Sequence, residues 1–250
     1  MSWNPCRPLP PPQGGRGRCG ARTFPSPLCA WWGAPVKKRV GILISGRGSN
    51  MMALVAAARA ADYPAEIAAV ISSAPDAAGL AWAQARGLPA RAIDHRAYPT
   101  REAFDWAVDA ALTDAGVELV ALAGFMRIQS VGFVARWEGR QLNIHPSLLP
   151  LFKGLHPHRQ ALDAGVKVSG CTVHFLTADT DSGPIVAQAA VPVLDGDTPE
   201  SLAARVLAAE HRLYPYALAL VASGRARVEG GRVRIDAVGH PDGCLLSPQP

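Results

Sequence analysis

A chain of 250 residues, 49% of them hydrophobic, has the length for one large domain and the apolar content for a sizeable core. No stretch reaches the roughly 20 uninterrupted apolar residues that span a bilayer, so a membrane-spanning helix is excluded. The net charge is +5, but Arg7, Arg16, Arg18 and Arg22 lie in an acid-free leader; the remainder stands near neutral (5 − 4 = +1) and lacks the clustered basic face that nucleic acid demands.

Residues 1–36 differ from everything after them. They hold eight of the 22 prolines, three of the six tryptophans and three of the five cysteines. PLPPPQGGRGRCG has no hydrophobic period and too many breakers to fold alone, so a disordered Pro/Arg-rich extension is expected over 1–36. It has neither the apolar core of a secretory signal nor the amphipathic helix of a transit peptide. Cys171 and Cys244, the remaining two cysteines, have no spacing pattern. That argues against a disulfide framework and suits a reducing, cytoplasmic setting. The folded domain is expected over 37–236, with an irregular tail over 237–250.

In chain order, VGILIS (Val40 to Ser45) is a continuous apolar run of strand length, and after the turn GRGSN the stretch MMALVAAARAA reads as a helix. EIAAVIS (Glu66 to Ser72) is a second strand, and an alanine-rich helix follows over about Ala77 to Arg86. PARAID gives a short third strand. TREAFDWAVDAALTDAG is amphipathic, with Phe104, Val108 and Leu112 at i, i+4 and i+8 and Thr100 as its N-cap. VELVALAGF is a fourth buried strand and QLNIH a short fifth. SGCTVHFLT and GPIVAQAAVPV, joined by the polar turn ADTDS, predict an antiparallel hairpin. A long helix opens at Thr198 with Pro199 in its first turn, and RVEGGRVRID predicts a small hairpin. Strands alternating with helices imply a parallel sheet. The expected fold is α/β: a Rossmann-like, mostly parallel sheet with antiparallel strands added in the C-terminal half.

The loop SGRGSN follows the first strand and opens the first helix. A dinucleotide fingerprint would need a third glycine where Met51 stands, and an acid where the second strand ends in Ser72 and Ser73; NAD binding is therefore disfavoured. Gly48, Ser49 and Asn50 suit a single phosphate instead, through free backbone N–H groups, a hydroxyl and an amide. The plainer alternative is a tight turn with a capping Ser or Asn.

In LNIHPSLLP, Asn143 and His145 lie two apart on a strand and so face the same side. An amide donor beside an imidazole suits stabilisation of an oxyanion in acyl transfer. The plainer alternative is a histidine hydrogen-bonded at a strand end. TADTDSGP adds Asp179 and Asp181, either of which would favour the charged form of a nearby imidazole; turn chemistry accounts for them equally well. A metal reading would combine His145 with His156 and His158, but no motif of metal-site spacing completes the ligand set.

ISGRGSN, LAGFMRI, LNIHPSLLPLFKGLHPHRQAL, HFLTADTDSGPI and AAEHRLYP, in this order and spacing, resemble the glycinamide ribonucleotide (phosphoribosylglycinamide) formyltransferases, folate-dependent enzymes of purine biosynthesis. The resemblance runs from about Lys38 to about Asp236. It implies the formyltransferase fold and transfer of a formyl group from 10-formyltetrahydrofolate to the amine of N1-(5-phosphoribosyl)glycinamide, without a metal. It places the catalytic trio on Asn143, His145 and Asp181. Ribonucleotide binding falls on Gly48, Ser49, Asn50 and Glu210, and the folate side on Arg101, Met126, Arg127, Ile128, Gln129 and Asn143. Gln129 stands where the family usually has leucine, and Pro157 where it usually has threonine. The partners implied are small molecules, with neither nucleic acid nor membrane, and a monomer or homodimer is expected. The rivals are a formyltetrahydrofolate hydrolase of the same fold, a metal-dependent hydrolase, and a non-catalytic folate- or nucleotide-binding module.

Overall fold

The computed structural model describes residues 37–236; the expected leader over 1–36 and the tail over 237–250 lie outside the described residues. Nine strands and six α-helices follow one another as β1 (Lys38–Ile44), α1 (Ser49–Ala58), β2 (Ala65–Ser72), α2 (Ala78–Gln84), β3 (Ala90–Ala92), α3 (Arg101–Asp114), β4 (Leu119–Leu122), α4 (Val131–Arg136), β5 (Gln141–His145), α5 (Pro157–Asp163), β6 (Val168–Phe175), β7 (Ile185–Pro192), α6 (Pro199–Ala222), β8 (Ala226–Glu229) and β9 (Arg232–Ile235).

Seven strands form one sheet in the order β3-β2-β1-β4-β5-β6-β7. The first five run parallel, and β6 and β7 are added antiparallel. This is the expected architecture. β1, β2 and β4 are continuous apolar runs because both sides of the sheet are covered there. On β1, Val40, Ile42 and Ile44 enter a core beneath α1 and α6, while Leu43 enters a second core beneath α3. Gly41 lets the second core pack close against β1, since a Cβ there would collide with Leu112 Cδ2 and stand 3.1 Å from Val117 Cγ2.

Local signals explain the helix starts. Thr100 Oγ1 accepts from Ala103 N at 3.1 Å, and Thr198 forms a reciprocal cap with Ser201. Pro215 lies inside α6 without ending it. Burial of Leu213, Tyr214, Ala217 and Leu218 around it holds the helix to the sheet, and the Tyr214 hydroxyl is shared between the carbonyls of Leu122 and Leu142, 3.0 Å from each.

Two helices have no counterpart among the expected elements: α4 has six residues and α5 has seven, too few for periodicity to register, whereas the equally short α2 is marked by its alanines. Tertiary contacts position α4: Asp105 Oδ2 of α3 accepts from Ser130 N at 2.6 Å, and Asp109 accepts from Arg136 Nε and Trp137 Nε1. Pro157 sits at the first position of α5, where a missing N–H costs nothing. The run VELVALAGF shortens to Leu119–Leu122, because the chain turns at Gly124, whose φ is 78°.

Candidate active site

The sheet reverses its winding between β1 and β4, and the loops above that point converge. Ser45 N donates to Gly124 O at 3.1 Å, and Met126 N donates to Ser45 Oγ at 2.9 Å. The glycine loop and the segment 126–129 are therefore tied together beside the end of β5.

Asn143 and His145 do share one side of β5, opposite Leu142 and Ile144, which enter the α1–α6 core. The antiparallel register then sets Asn143 against His174 and His145 against Thr172. Asp181 arrives from the β6–β7 turn in the left-handed region, at φ 48°; Asp tolerates that conformation better than most residues. Gly183 makes its approach feasible, because a Cβ there would collide with the Phe175 carbonyl.

His145 Nδ1 lies 3.3 Å from Asp181 Oδ2, with both side chains nearly buried. His145 Nε2 lies 3.0 Å from the Phe152 carbonyl. Both ring nitrogens thus face oxygen acceptors, and only a doubly protonated ring donates to both. Asp181 Oδ2 also accepts from Gly154 N at 3.0 Å. Asp181 therefore fixes the ring and the strap that crosses it.

His174 has the opposite setting. It is 2% exposed, and burial holds its pKa below the ordinary imidazole value, against the opposing pull of the Phe175 carbonyl and Asp181. A neutral ring with Nδ1–H donating to Phe175 O, 2.9 Å away, leaves Nε2 to accept from Asn143 Nδ2 at 3.2 Å. The second N–H of Asn143 then remains for a ligand. His174 and the Phe152 carbonyl are neighbours of the candidate trio that the sequence pattern leaves out of it; the pairing register of β5 with β6 is the signal that points to His174.

The ribonucleotide candidates divide. Gly48 caps α1 in the left-handed conformation, φ 72°, and the first-turn N–H groups of a helix have no internal acceptors. Ser49 stands at that opening. Asn50 instead turns inward: it is buried, and its Nδ2 donates to Glu210 Oε2 of α6 at 2.6 Å. Burial pushes Glu210 up from the usual carboxylate range, with the Asn50 amide opposing. The structure thus brings Asn50 and Glu210 together across 160 residues of sequence.

Of the folate candidates, Arg101 is exposed at the start of α3, as are Met126, Arg127 and Ile128. Gln129 differs from them. It is buried, and neither its Nε2 nor its Oε1 finds a partner; Gln141, at the foot of β5 on the side of Asn143, is in the same state. Among the described residues, no group of three or more His, Cys, Asp or Glu side chains is arranged to hold a metal ion, so His145, His156 and His158 do not converge as the metal reading required. Among the described residues, no helix is long and apolar enough to cross a membrane.

Residues 38–218 match the formyl transferase family. The chain is 53% identical over 200 residues to the trifunctional purine biosynthetic protein adenosine-3 of Bos taurus, covering 80% of this chain and 20% of that protein. It is 41% identical over 195 residues to phosphoribosylglycinamide formyltransferase of Escherichia coli, covering 78% of this chain and 92% of that enzyme. The crystal structure of glycinamide ribonucleotide transformylase 1 from Symbiobacterium toebii superimposes with a TM-score of 0.77 at 53% identity, covering 80% of this chain and 94% of that one. A formyltetrahydrofolate deformylase from Pseudomonas syringae pv. tomato superimposes with a TM-score of 0.74 at 25% identity, covering 81% and 67%.

Proposed function

Since the chain belongs to the formyl transferase family, we propose that it transfers the formyl group of 10-formyltetrahydrofolate to the amine of N1-(5-phosphoribosyl)glycinamide, a step of purine biosynthesis. The observation that carries the reading is the cluster of Asn143, His145, Asp181 and His174 at the end of β5, beside the loop that opens α1.

The amine nitrogen attacks the formyl carbon, and the carbonyl electrons move onto oxygen. Asn143 donates its free N–H to that oxygen. His145, held by Asp181, exchanges the Phe152 carbonyl for the same oxygen and so stabilises the tetrahedral intermediate. Collapse breaks the bond to the folate nitrogen, which takes up a proton while the attacking nitrogen loses one; His145 assists that transfer. Ser49 and the N-terminus of α1 receive the phosphate, with Gly48 allowing close approach and Asn50 and Glu210 forming the wall behind it. Arg101 and the segment Met126, Arg127, Ile128 and Gln129 line the folate side. Both substrates are small molecules, and the enzyme works in the cytoplasm as a monomer or homodimer, with no nucleic acid or membrane partner.

The test is turnover by a folded His145→Ala protein, expected to fall by at least about 10²-fold. Undiminished turnover would remove His145 from the reaction.

A further inference from the structure

Three side chains stand in one row across the antiparallel part of the sheet. His145 pairs with Thr172 across β5 and β6, and Thr172 pairs with Gln188 across β6 and β7. Directly opposed residues share a face, and the turn that follows His145 lies over this one. Thr172 Oγ1 donates to Ser147 O at 2.7 Å and accepts from Leu149 N at 3.0 Å. Gln188 Nε2 donates to Leu149 O and to Thr172 Oγ1, both at 2.9 Å. A hydroxyl has one proton and two lone pairs, and an amide nitrogen has two protons; every one of them is used. Gly170, two residues before Thr172 on β6, is set chiefly by β7, since a Cβ there would collide with the Ala189 carbonyl; it would also stand 2.9 Å from Leu148 Cδ2 of the turn.

We propose that Gln188 is a positioning residue for His145. It acts through Leu149 O and the Thr172 hydroxyl to fix the turn at 147–149, and through that turn the direction of the imidazole. The same turn sets the strap beyond it: Ser147 Oγ donates to Leu151 O at 2.6 Å, and the next carbonyl, that of Phe152, is the one facing His145 Nε2. One amide on β7 thus holds both the ring's own backbone and the backbone of its resting acceptor. Gln188 is exposed as a residue, so water can replace its hydrogen bonds energetically but cannot reproduce their geometry. Its removal therefore separates position from stability. The proposal rests on the reading of His145 as the reacting group.

The experiment compares Gln188→Leu, which removes both donors, with Gln188→Glu, which sets a carboxylate oxygen against Leu149 O. Both are expected to lower kcat by roughly 10-fold or more, while KM for each substrate stays within about twofold. The melting temperature should hardly move, and the His145 ring resonances should shift in the NMR spectrum. Thr172→Val should lose rate likewise, and Thr172→Ser should restore it. In a His145→Ala background, Gln188→Leu should cost nothing further, because the two act through one group. Wild-type kcat with unmoved His145 resonances in Gln188→Leu would overturn the proposal, as would an undiminished additional loss in the His145→Ala background. An inactive His145→Ala beside a fully active Gln188→Leu would reject only the positioning role; a fully active His145→Ala would reject the reading of the site itself.

Discussion

The row His145–Thr172–Gln188 and the pair Gln129 and Gln141 treat polar groups in opposite ways. In the row, the Thr172 hydroxyl and the Gln188 amide nitrogen are saturated with partners. In the pair, two whole carboxamides are buried with none. A buried polar atom left unmatched costs about 1–3 kcal/mol, whereas a matched one contributes modestly. The first region has the character of a preformed frame around the proposed reacting group. The second carries polar atoms without protein partners, and Gln129 belongs to the segment proposed for the folate.

That contrast can be broken at several points. The largest effect is expected at the frame's charged member. Asp181→Ala should lower turnover by at least about 10²-fold with folding intact, because the His145 ring loses its acceptor and Gly154 its anchor. Steady-state rates beside a circular dichroism spectrum check this, and a folded variant within a factor of a few of wild type would contradict it.

In the unmatched region the sign for stability reverses. Gln129→Leu and Gln141→Leu should each stabilise the protein by about 1 kcal/mol or more, since an apolar group of similar volume replaces an unpartnered amide. Denaturant midpoints decide it. Destabilisation by both would mean that the amides have partners in solution and that the contrast is false. A raised KM for the formyl folate in the same variants would sharpen the contrast, giving the amides a ligand to meet.

Acid should separate the regions next. Burial holds His174, His158 and His211 below the ordinary imidazole value. The unfolded chain therefore binds these protons first. Their contribution is fully present above about pH 6.5 and is lost as pH falls through the depressed folded values. Glu210, whose pKa is raised by burial, works in the opposite sense: its contribution is present below the ordinary carboxylate value and lost as pH rises through the raised one. Unfolding midpoints at pH 7.5 and 5.5 should fall toward acid in the wild type and fall less in His174→Asn. Equal slopes in the two would refute the assignment to His174.

The smallest effect is expected at the glycine loop. Ser49→Ala should raise KM for the ribonucleotide several-fold and leave the folate KM unchanged, the loss of roughly one hydrogen bond. Equal shifts for both substrates would argue against a phosphate at that helix end.

Much of this is legible in the chain itself. Continuous apolar runs mark β1, β2 and β4 because both faces of a parallel sheet are covered. Thr100 and Thr198 mark the starts of α3 and α6. The two-residue spacing of Asn143 and His145 is enough to place them on one face of a strand. What cannot be read is whatever depends on register and on distant partners. α4 exists because Asp105 and Asp109 bind its ends, and no periodicity of six residues reveals that. The inward turn of Asn50 toward Glu210, the Phe152 carbonyl on His145 and the reach of Gln188 to Leu149 all join residues that local sequence treats as unrelated. Asp181 shares its turn with Asp179; the residues alone do not separate them, and only the fold sets Asp181 at 3.3 Å from His145.

The most direct measurement incubates the purified protein with 10-formyltetrahydrofolate, with and without N1-(5-phosphoribosyl)glycinamide, and follows the folate absorbance. Deformylation only when the ribonucleotide is present is the predicted result. Deformylation without it, with formate released, would contradict the account: water would then be the acceptor, and the opening at Ser49 would be an ordinary turn.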